Sequence, residues 1–499
     1  MSILINNYLY LQPIKNEKLI INMTKDNHNS AKETISSIYN PEDLWDLEEK
    51  HKRIAAKIAD QMTLDSISQV HNSDEFVKEA VNKAREKNTY PLVNKGWRPV
   101  TILLLGGTKV TISTPYLRID WKKTTGRKHK KRGKKGSGIY PVLEAIGIKD
   151  RVTPATRSEI SLHTVQSASY KEAIEMLQRH GISISTATLE RIAIATVQED
   201  TLLRDAALSA TMNIPISPDG PLAGKRVRLS VDGGRVRTRV KKKGRKTKKK
   251  RHNFKTKWRE PRIIVIDILS EDGSCDSLRL PLYDVLIKDA DTVFYVLIGY
   301  MRLLGAKYAE TIEFISDGAE WIWDRVDRLR TEAEISESKL ILVLDFYHAC
   351  EHMNEGLDLC ENLSKKERSK KYKDLKEKLK RSPDGVNEII QELEEMVAES
   401  KKEEMEGIIR YFKVHENHMK YALFLEKKIS IGSGVVESAV RRVINLRFKG
   451  NGSLWKQKIA EGLMHLRAFF KTGRWKELIL RVITGKFIIP SFDHQGQKN

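Results

Sequence analysis

Between residues 225 and 348 the hydrophobic period switches repeatedly between two and about 3.6, and no all-helical or all-strand fold accommodates that switching. KRVRLSVDGG alternates, so Val227, Leu229 and Val231 face one way while Arg228, Ser230 and Asp232 face the other. RIIVIDIL (262–269) and LRLPLYDVLI (278–287) read as a second and a third strand. DTVFYVLIGYMRLLG (291–305) has helical spacing, TIEFISD (311–317) returns to strand, a helix begins at Trp321, and LILVLD (340–345) is a fifth strand. A further helix starts near Ser433 in IGSGVVESAVRRV.

This order, β-β-β-α-β-α-β-α, predicts an α/β protein with an RNase H-like mixed-sheet catalytic core and helices on both faces. The core is expected in two parts, residues 221–360 and the final helices 431–485, separated by an all-helical insertion over 361–430. Within the insertion, VNEIIQELEEMV places Val386, Ile389, Ile390, Leu393, Met396 and Val397 at helical spacing, opposite a solvated acidic face. Upstream, residues 1–40 are expected to be poorly ordered. Residues 41–135 hold a helical pair, a hairpin around Gly106-Gly107 and a basic run, and 136–215 form a helical region. In the latter, Gly181 closes one helix and Ser185 caps the next, a helix-turn-helix-like arrangement that fits either DNA reading or plain helix packing. Residues 486–499 read as a tail.

The charge is as informative as the pattern. Lys and Arg number 89 against 66 Asp and Glu, a net +23. Two acid-free runs, residues 122–135 with nine Lys/Arg and 235–257 with fourteen, account for the whole excess. Charge this local excludes an acidic scaffold and fits a protein that grips a polyanion at defined places. Lys130, Lys131 and Arg132 in the first run, and Lys241, Lys242, Lys243, Arg245, Lys248, Lys249, Lys250 and Arg251 in the second, are the expected DNA phosphate contacts. The second run lies between the first two core strands, so it is expected to form the arms or loop of a hairpin beside Asp232. Arg441, Arg442, Arg447 and Lys449 would extend the same groove, and Trp455 would stack on an unpaired base. Three cysteines, with no CxxC pair, exclude a disulfide framework and point to a reducing compartment. Neither a signal peptide nor a membrane span is legible, and a cytoplasmic location is expected.

Phosphodiester cleavage without a covalent intermediate calls for hard divalent cations, and carboxylates converging from different elements are their natural ligands. Asp232 ends the first strand before Gly233-Gly234, which leave room for a close approach. Asp317 ends the fourth strand in ISDGAEW, and Glu437 lies in the first turn of the helix after IGSG. Singly, each has a plain structural reading, as a turn residue or a helix N-terminal acid. Together they occupy the places where such a sheet would assemble a metal site. LDFYHACEH adds Asp345, which ends the fifth strand, with His348 and His352 one helical turn apart. Zinc is disfavoured there because HxxxH lacks a third ligand of clear spacing. A bracing polar network, or an imidazole that moves a proton or positions substrate, accounts better for the pattern.

VDGG at 231, ISDGAEWIW at 315, DFYHACEH at 345 and SGVVESAVRRV at 433 together resemble the DDE transposases of bacterial insertion sequences, in particular the ISKra-type group of the Mutator-like assemblage. The resemblance spans roughly residues 95–475. It implies a metal-dependent nuclease and strand transferase that binds the terminal inverted repeats of its own element and target DNA, as a homo-oligomer bridging two ends. It implies two Mg²⁺ or Mn²⁺ ions held by Asp232, Asp317 and Glu437, with Asp345 and His348 as an Asp-x-x-His motif. A rival assignment makes Asp345 the second acid. The sequence departs from the family between hairpin and helices, where a CxxC zinc ribbon is replaced by WKKTTGRKHKKRGKKGSG. A DNA-binding protein without catalysis, and a nuclease without strand transfer, are the alternatives.

Overall fold

The computed structural model describes residues 39–120, 138–245, 247, 252–360, 363–450 and 452–493. The chain forms two compact units: one built from residues up to Ile146 with Arg151–Thr153 and Gln178–Ser183, the other from Gly147–Asp150, Pro154–Leu177 and everything from Ile184 onwards.

In the first unit, helix α1 (Pro41–His71) starts at a capping box of Asn40 and Asp43 with Pro41 at its first position, and α2 (Asp74–Lys87) follows a Ser73 cap. Strands β1 (Leu92–Leu103) and β2 (Lys109–Ile119) form the expected hairpin, joined at one end by β3 (Gly138–Ile139) and followed by the short α3 (Pro141–Ala145). Buried Asp60 of α1 holds the hairpin turn, accepting hydrogen bonds from the Gly106 N–H at 2.8 Å and the Thr108 N–H at 3.0 Å. Gly107 sits at φ +90°, and a Cβ there would lie 2.0 Å from the Gly181 carbonyl oxygen. Gly107→Ala therefore costs both left-handed strain and a backbone clash, and is expected to destabilise this unit by about 2 kcal/mol or more. Differential scanning calorimetry checks this; an unchanged transition for this unit would remove the argument.

The second unit is a mixed five-stranded sheet covered on both faces. Strands β4 (Arg226–Gly233), β5 (Val236–Lys241), β6 (Phe254–Arg259), β7 (Arg262–Ile268), β8 (Leu282–Leu286), β9 (Thr311–Ser316) and β10 (Leu340–Leu344) follow in chain order. The sheet runs β10-β9-β4-β7-β8, with β5 and β6 as a separate two-stranded ribbon. β4 is antiparallel to β7 and parallel to β9, and β9 is parallel to β10. The third strand starts at Leu282 rather than at residue 278, because Pro281 has no N–H for the ladder.

Both faces are dry. Val227, Leu229, Val231, Ile264 and Ile266 pack under α7 (Ala290–Leu303) and α9 (Val326–Glu332), with the short α8 (Glu320–Trp323) between those helices in sequence. Ile263, Val265, Tyr283 and Val285 pack under the C-terminal helices. The alternation had placed Arg228 and Ser230 on a polar face; both are buried, and Arg228 is neutralised by Asp267 of β7 at 3.1 Å. Helix α10 (Phe346–Asp358) follows β10, and α11 (Lys365–Arg381), α12 (Gly385–Met396), α13 (Lys402–His415) and α14 (Tyr421–Glu426) make the helical insertion, whose Val386, Ile389, Ile390 and Leu393 point into a core shared with α10, Ile315 of β9 and Val343 and Leu344 of β10.

Upstream of the sheet, α4 (Pro154–Gln166) and α5 (Tyr170–Arg179) precede α6 (Thr186–Thr211), whose N-cap is Ser185 as expected. α6 is a packing hub, in contact with α4, α7 and two C-terminal helices, α16 (Gln457–Lys471) and α17 (Trp475–Thr484). Its apolar face, Leu189, Ile192, Ala193, Val197 and Leu208, is spent on the core. Among the described residues, no helix is long and apolar enough to cross a membrane.

Candidate active site

The parallel run β4-β9-β10 brings three strand ends to one edge of the sheet, because parallel neighbours share their C-terminal side. Asp232 sits at the end of β4, Asp317 directly follows β9, and Asp345 directly follows β10. Glu437 arrives from α15 (Gly434–Ala439), which packs against β4 and β7. Asp232, Asp317, Asp345, His348, Ser433 and Glu437 line one cleft of about 180 Å³, together with Tyr347 and Glu351.

The two rival second acids are held differently. Asp345 is buried and both its oxygens accept backbone hydrogens: Oδ1 from the Ser433 N–H at 2.8 Å and Oδ2 from the His348 N–H at 3.1 Å. It thereby caps α10 and ties that helix to the segment carrying Glu437. Asp317 is half-buried and accepts one backbone hydrogen, from the Ala319 N–H at 3.2 Å. Glu437 is exposed, and its Oε1 accepts the Ser433 hydroxyl at 2.7 Å.

The electrostatics at Asp232 and Asp317 are set first by burial and then by neighbouring acids. Burial pushes the Asp232 carboxyl up to about 6, despite a 2.5 Å hydrogen bond from the Gly233 N–H, and the charges of Asp317, Glu437 and Glu260 add to the rise. Burial also raises Asp317; the Ala319 N–H and His348 oppose the rise, and Asp345 and Glu260 reinforce it. Hard oxygen donors brought to one cleft, with Asp232 and Asp317 part-buried and Glu437 exposed, are the donor set that suits Mg²⁺ or Mn²⁺. Among the described residues, no three His, Cys, Asp or Glu side chains are drawn together as a ready cage. The acids therefore share a cleft without being closed around a centre.

The two histidines are part-exposed on α10. His348 lies 3.4 Å from Glu351 and His352 3.0 Å from Glu355, each pair on α10 itself. The His352 ring lies 4.0 Å from that of Tyr411, which belongs to the insertion. Tyr411 also crowds Gly318, where a Cβ would meet its ring at 2.6 Å, and burial followed by Asp317 and Asp345 pushes its hydroxyl up. The insertion thus packs, through Tyr411, on the residue next to Asp317, a contact that no local pattern announces.

Glu260 is a further acid that the sequence reading passed over. It follows β6, and a Cβ at Gly233 would lie 2.6 Å from its Oε1. The room left at Gly233-Gly234 is thus filled from inside the protein, by Glu260 at the first glycine and Ile444 at the second. The available signal was that Glu260 is the first acid after the 235–257 basic run.

The basic residues divide sharply. β5 and β6 form the hairpin expected beside Asp232, and Lys241, Lys242, Lys243 and Arg245 are all exposed on it or just beyond β5. Lys248, Lys249, Lys250 and Arg251, like Lys130, Lys131 and Arg132, lie outside the described residues. Arg441 and Lys449 are exposed. Arg447 is not available to a groove: it is buried, hydrogen-bonded to the Ala168 carbonyl, with its guanidinium 5.1 Å from the Trp455 ring centre. Arg442 is half-buried and donates to the Tyr283 hydroxyl at 2.9 Å. Trp455 is also spent internally, 4.9 Å from the Phe448 ring. Charge and aromaticity in a sequence do not reveal whether a guanidinium or an indole already has a partner within the fold.

No protein family, curated protein or solved structure matches the chain.

Proposed function

We propose that this chain is a DDE transposase of an insertion sequence, with an RNase H-like core that cuts the element's ends and joins them to target DNA. The observation that carries this reading is the convergence of Asp232, Asp317 and Glu437 on one cleft, from β4, β9 and α15, beside a cationic ribbon. The sheet order, with β4 central between an antiparallel pair and two parallel strands, supports the fold assignment. Asp317 is preferred as the second acid because β9 adjoins β4, and because Asp345 has both oxygens committed to backbone hydrogens.

Mg²⁺ or Mn²⁺ at Asp232, Asp317 and Glu437 would supply activation of the attacking oxygen and charge stabilisation on the leaving one. The chain itself does the rest. Asp345 braces α10 and the Ser433 segment so that Glu437 faces the cleft, and the cationic ribbon holds phosphates near Asp232 without reading bases. Partners in this reading are double-stranded DNA, as terminal repeats and as target, and a second copy of the chain.

The test is end-labelled terminal-repeat DNA with Mg²⁺ and an unlabelled target. Joined product supports a transposase, cut product alone reduces the reading to a nuclease, and a shifted band alone reduces it to a binder. Ser433→Ala removes the hydroxyl that orients Glu437 while leaving the backbone bond to Asp345. It is expected to slow cleavage by about tenfold, the worth of one hydrogen bond to a charged group. Wild-type rates in that variant would detach Ser433 from the site.

A further inference from the structure

The β5–β6 ribbon has one face turned into the protein and one left free. Val236 and Thr238 are buried on the inner face. The opposite face carries the cross-strand pairs Arg237 with Trp258, Arg239 with Thr256 and Lys241 with Phe254. Trp258 is 59% exposed and Phe254 44% exposed, although each is an apolar ring on a described strand with a core close by. Scattered exposed apolar side chains are ordinary; two aromatic rings on one face of a ribbon whose charged neighbours are all cationic are not. Arg237, Arg239 and Lys241 supply those cations, Lys255 and Lys257 pair with Val240 and Thr238 on the other face, and the ribbon strands contain no acid. The Arg237 guanidinium stands 6.0 Å from the centre of the Trp258 ring.

The ribbon is also fixed in place. β4 runs through Asp232 and Gly233 directly into β5, and the free edge of β5 is bonded to the Trp455 segment, Arg239 N–H to the Trp455 carbonyl at 2.8 Å and Trp455 N–H to the Arg237 carbonyl at 3.2 Å. Trp258 and Phe254, four residues apart, are spaced by about 13 Å along an extended strand.

We propose that this free face binds unpaired DNA, with bases stacking on Trp258 and Phe254 and the sugar-phosphate backbone following Arg237, Arg239 and Lys241. Stacking needs a base's π-face, which a duplex hides between neighbouring base pairs, whereas phosphate contacts are made by either form. A cationic ribbon without rings would suit a duplex equally; the rings favour a strand whose bases are open. The inference deepens the DNA-processing reading and rests on it. It gives the segment beside the acid cleft a substrate form, single-stranded or locally melted DNA, which a cut end can present.

The test uses the full chain in EDTA, with a fluorescein-labelled oligothymidylate of about 15 nucleotides and a duplex of the same length as probes. Trp258→Ala is expected to weaken oligothymidylate binding about tenfold, with a much smaller effect on the duplex, and Trp258→Phe to restore most of the loss. Arg239→Gln with Lys241→Gln is expected to weaken both probes and to flatten the salt dependence, which Trp258→Ala leaves unchanged. Equal losses on both probes, or no loss on oligothymidylate in both Trp258→Ala and Phe254→Ala, would overturn the assignment of the ribbon while leaving the cleft reading intact. Failure of the unmodified protein to bind either probe at low salt would overturn both.

Discussion

Asp232→Asn is expected to lower Mg²⁺-dependent cleavage of terminal-repeat DNA by about a thousandfold or more, with the same DNA still retarded in a gel at nearly unchanged protein concentration. The magnitude follows from the proposed role of Asp232 as a ligand, since a cation held there would contribute several kcal/mol to the transition state. Retained binding follows from the distribution of charge, since the exposed cations of the ribbon are untouched by the change. The same substitution carries a second and opposite signature. Asp232 is held at about 6 against 3.8, so the folded protein binds that proton more tightly than the unfolded chain. The contribution of Asp232 to stability is therefore full below 3.8 and lost as the pH rises through about 6. Asn carries no such loss, and the metal-free variant is expected to be more stable than the wild type at neutral pH by about 2–3 kcal/mol. Thermal melts in EDTA and in Mg²⁺ read both effects: Mg²⁺ raises the wild-type midpoint and moves the variant far less. A variant that cuts at wild-type rates, or responds to Mg²⁺ as the wild type does, would remove Asp232 from the site.

The second large effect lies in the interior, away from the proposed chemistry. His465 of α16 is buried between two buried carboxylates, with Nε2 2.8 Å from Asp200 and Nδ1 3.3 Å from Asp284. Asp284 also takes both oxygens onto Arg204, at 2.8 and 3.0 Å, and accepts the Tyr300 hydroxyl at 2.9 Å. The cluster therefore ties α6, β8, α7 and α16 to one another. Burial alone would push the His465 imidazolium down, but the bonds to Asp200 and Asp284 outweigh it and hold the group at about 9. Burial likewise opposes ionisation of Asp284, and Arg204, with His465 and Tyr300, overcomes it and holds that carboxyl below the usual range. The signs are opposite. The His465 contribution is present below its unfolded value of 6.5 and is lost as the pH rises through about 9; the Asp284 contribution is present above 3.8 and is lost on acidification. His465→Leu leaves Asp200 and Asp284 short of a buried cation, and is expected to cost about 3–5 kcal/mol. The thermal midpoint of the wild type should fall between pH 6.5 and 9, and that part of the pH dependence should vanish in His465→Leu. A melt of the variant that superimposes on the wild type would show the cluster to be neutral at that position.

Arg447 and Asp232 mark the limit of what could be read before the fold was seen. Asp232 was legible because a strand end is a local property: the alternation Val227, Leu229, Val231 stops at an acid followed by two glycines. Asp317 and Asp345 were legible for the same reason, and the two basic runs needed only counting. Arg447 was not, because the carbonyl that takes its guanidinium belongs to Ala168, 279 residues earlier. Arg228 and Ser230 were assigned to a polar face because alternation gives sides and not solvents; whether a side meets water depends on helices more than 150 residues away in sequence. Trp455 packs against Phe448 and Arg447, while Phe254 inside the charge run and Trp258 just beyond it leave their rings outside the core, a division that no local pattern fixes.

Residue order alone settled the alternation of strands and helices, the hairpin beside the first acid and the local excess of cations, because period and charge depend on a few neighbouring residues. Folding in three dimensions settled which acids share a cleft, which arginines remain free and that Glu260 and Tyr411 crowd the glycines beside Asp232 and Asp317. Those outcomes turn on desolvation and on partners distant in sequence, and both come into being only when the sheet closes beneath its helices.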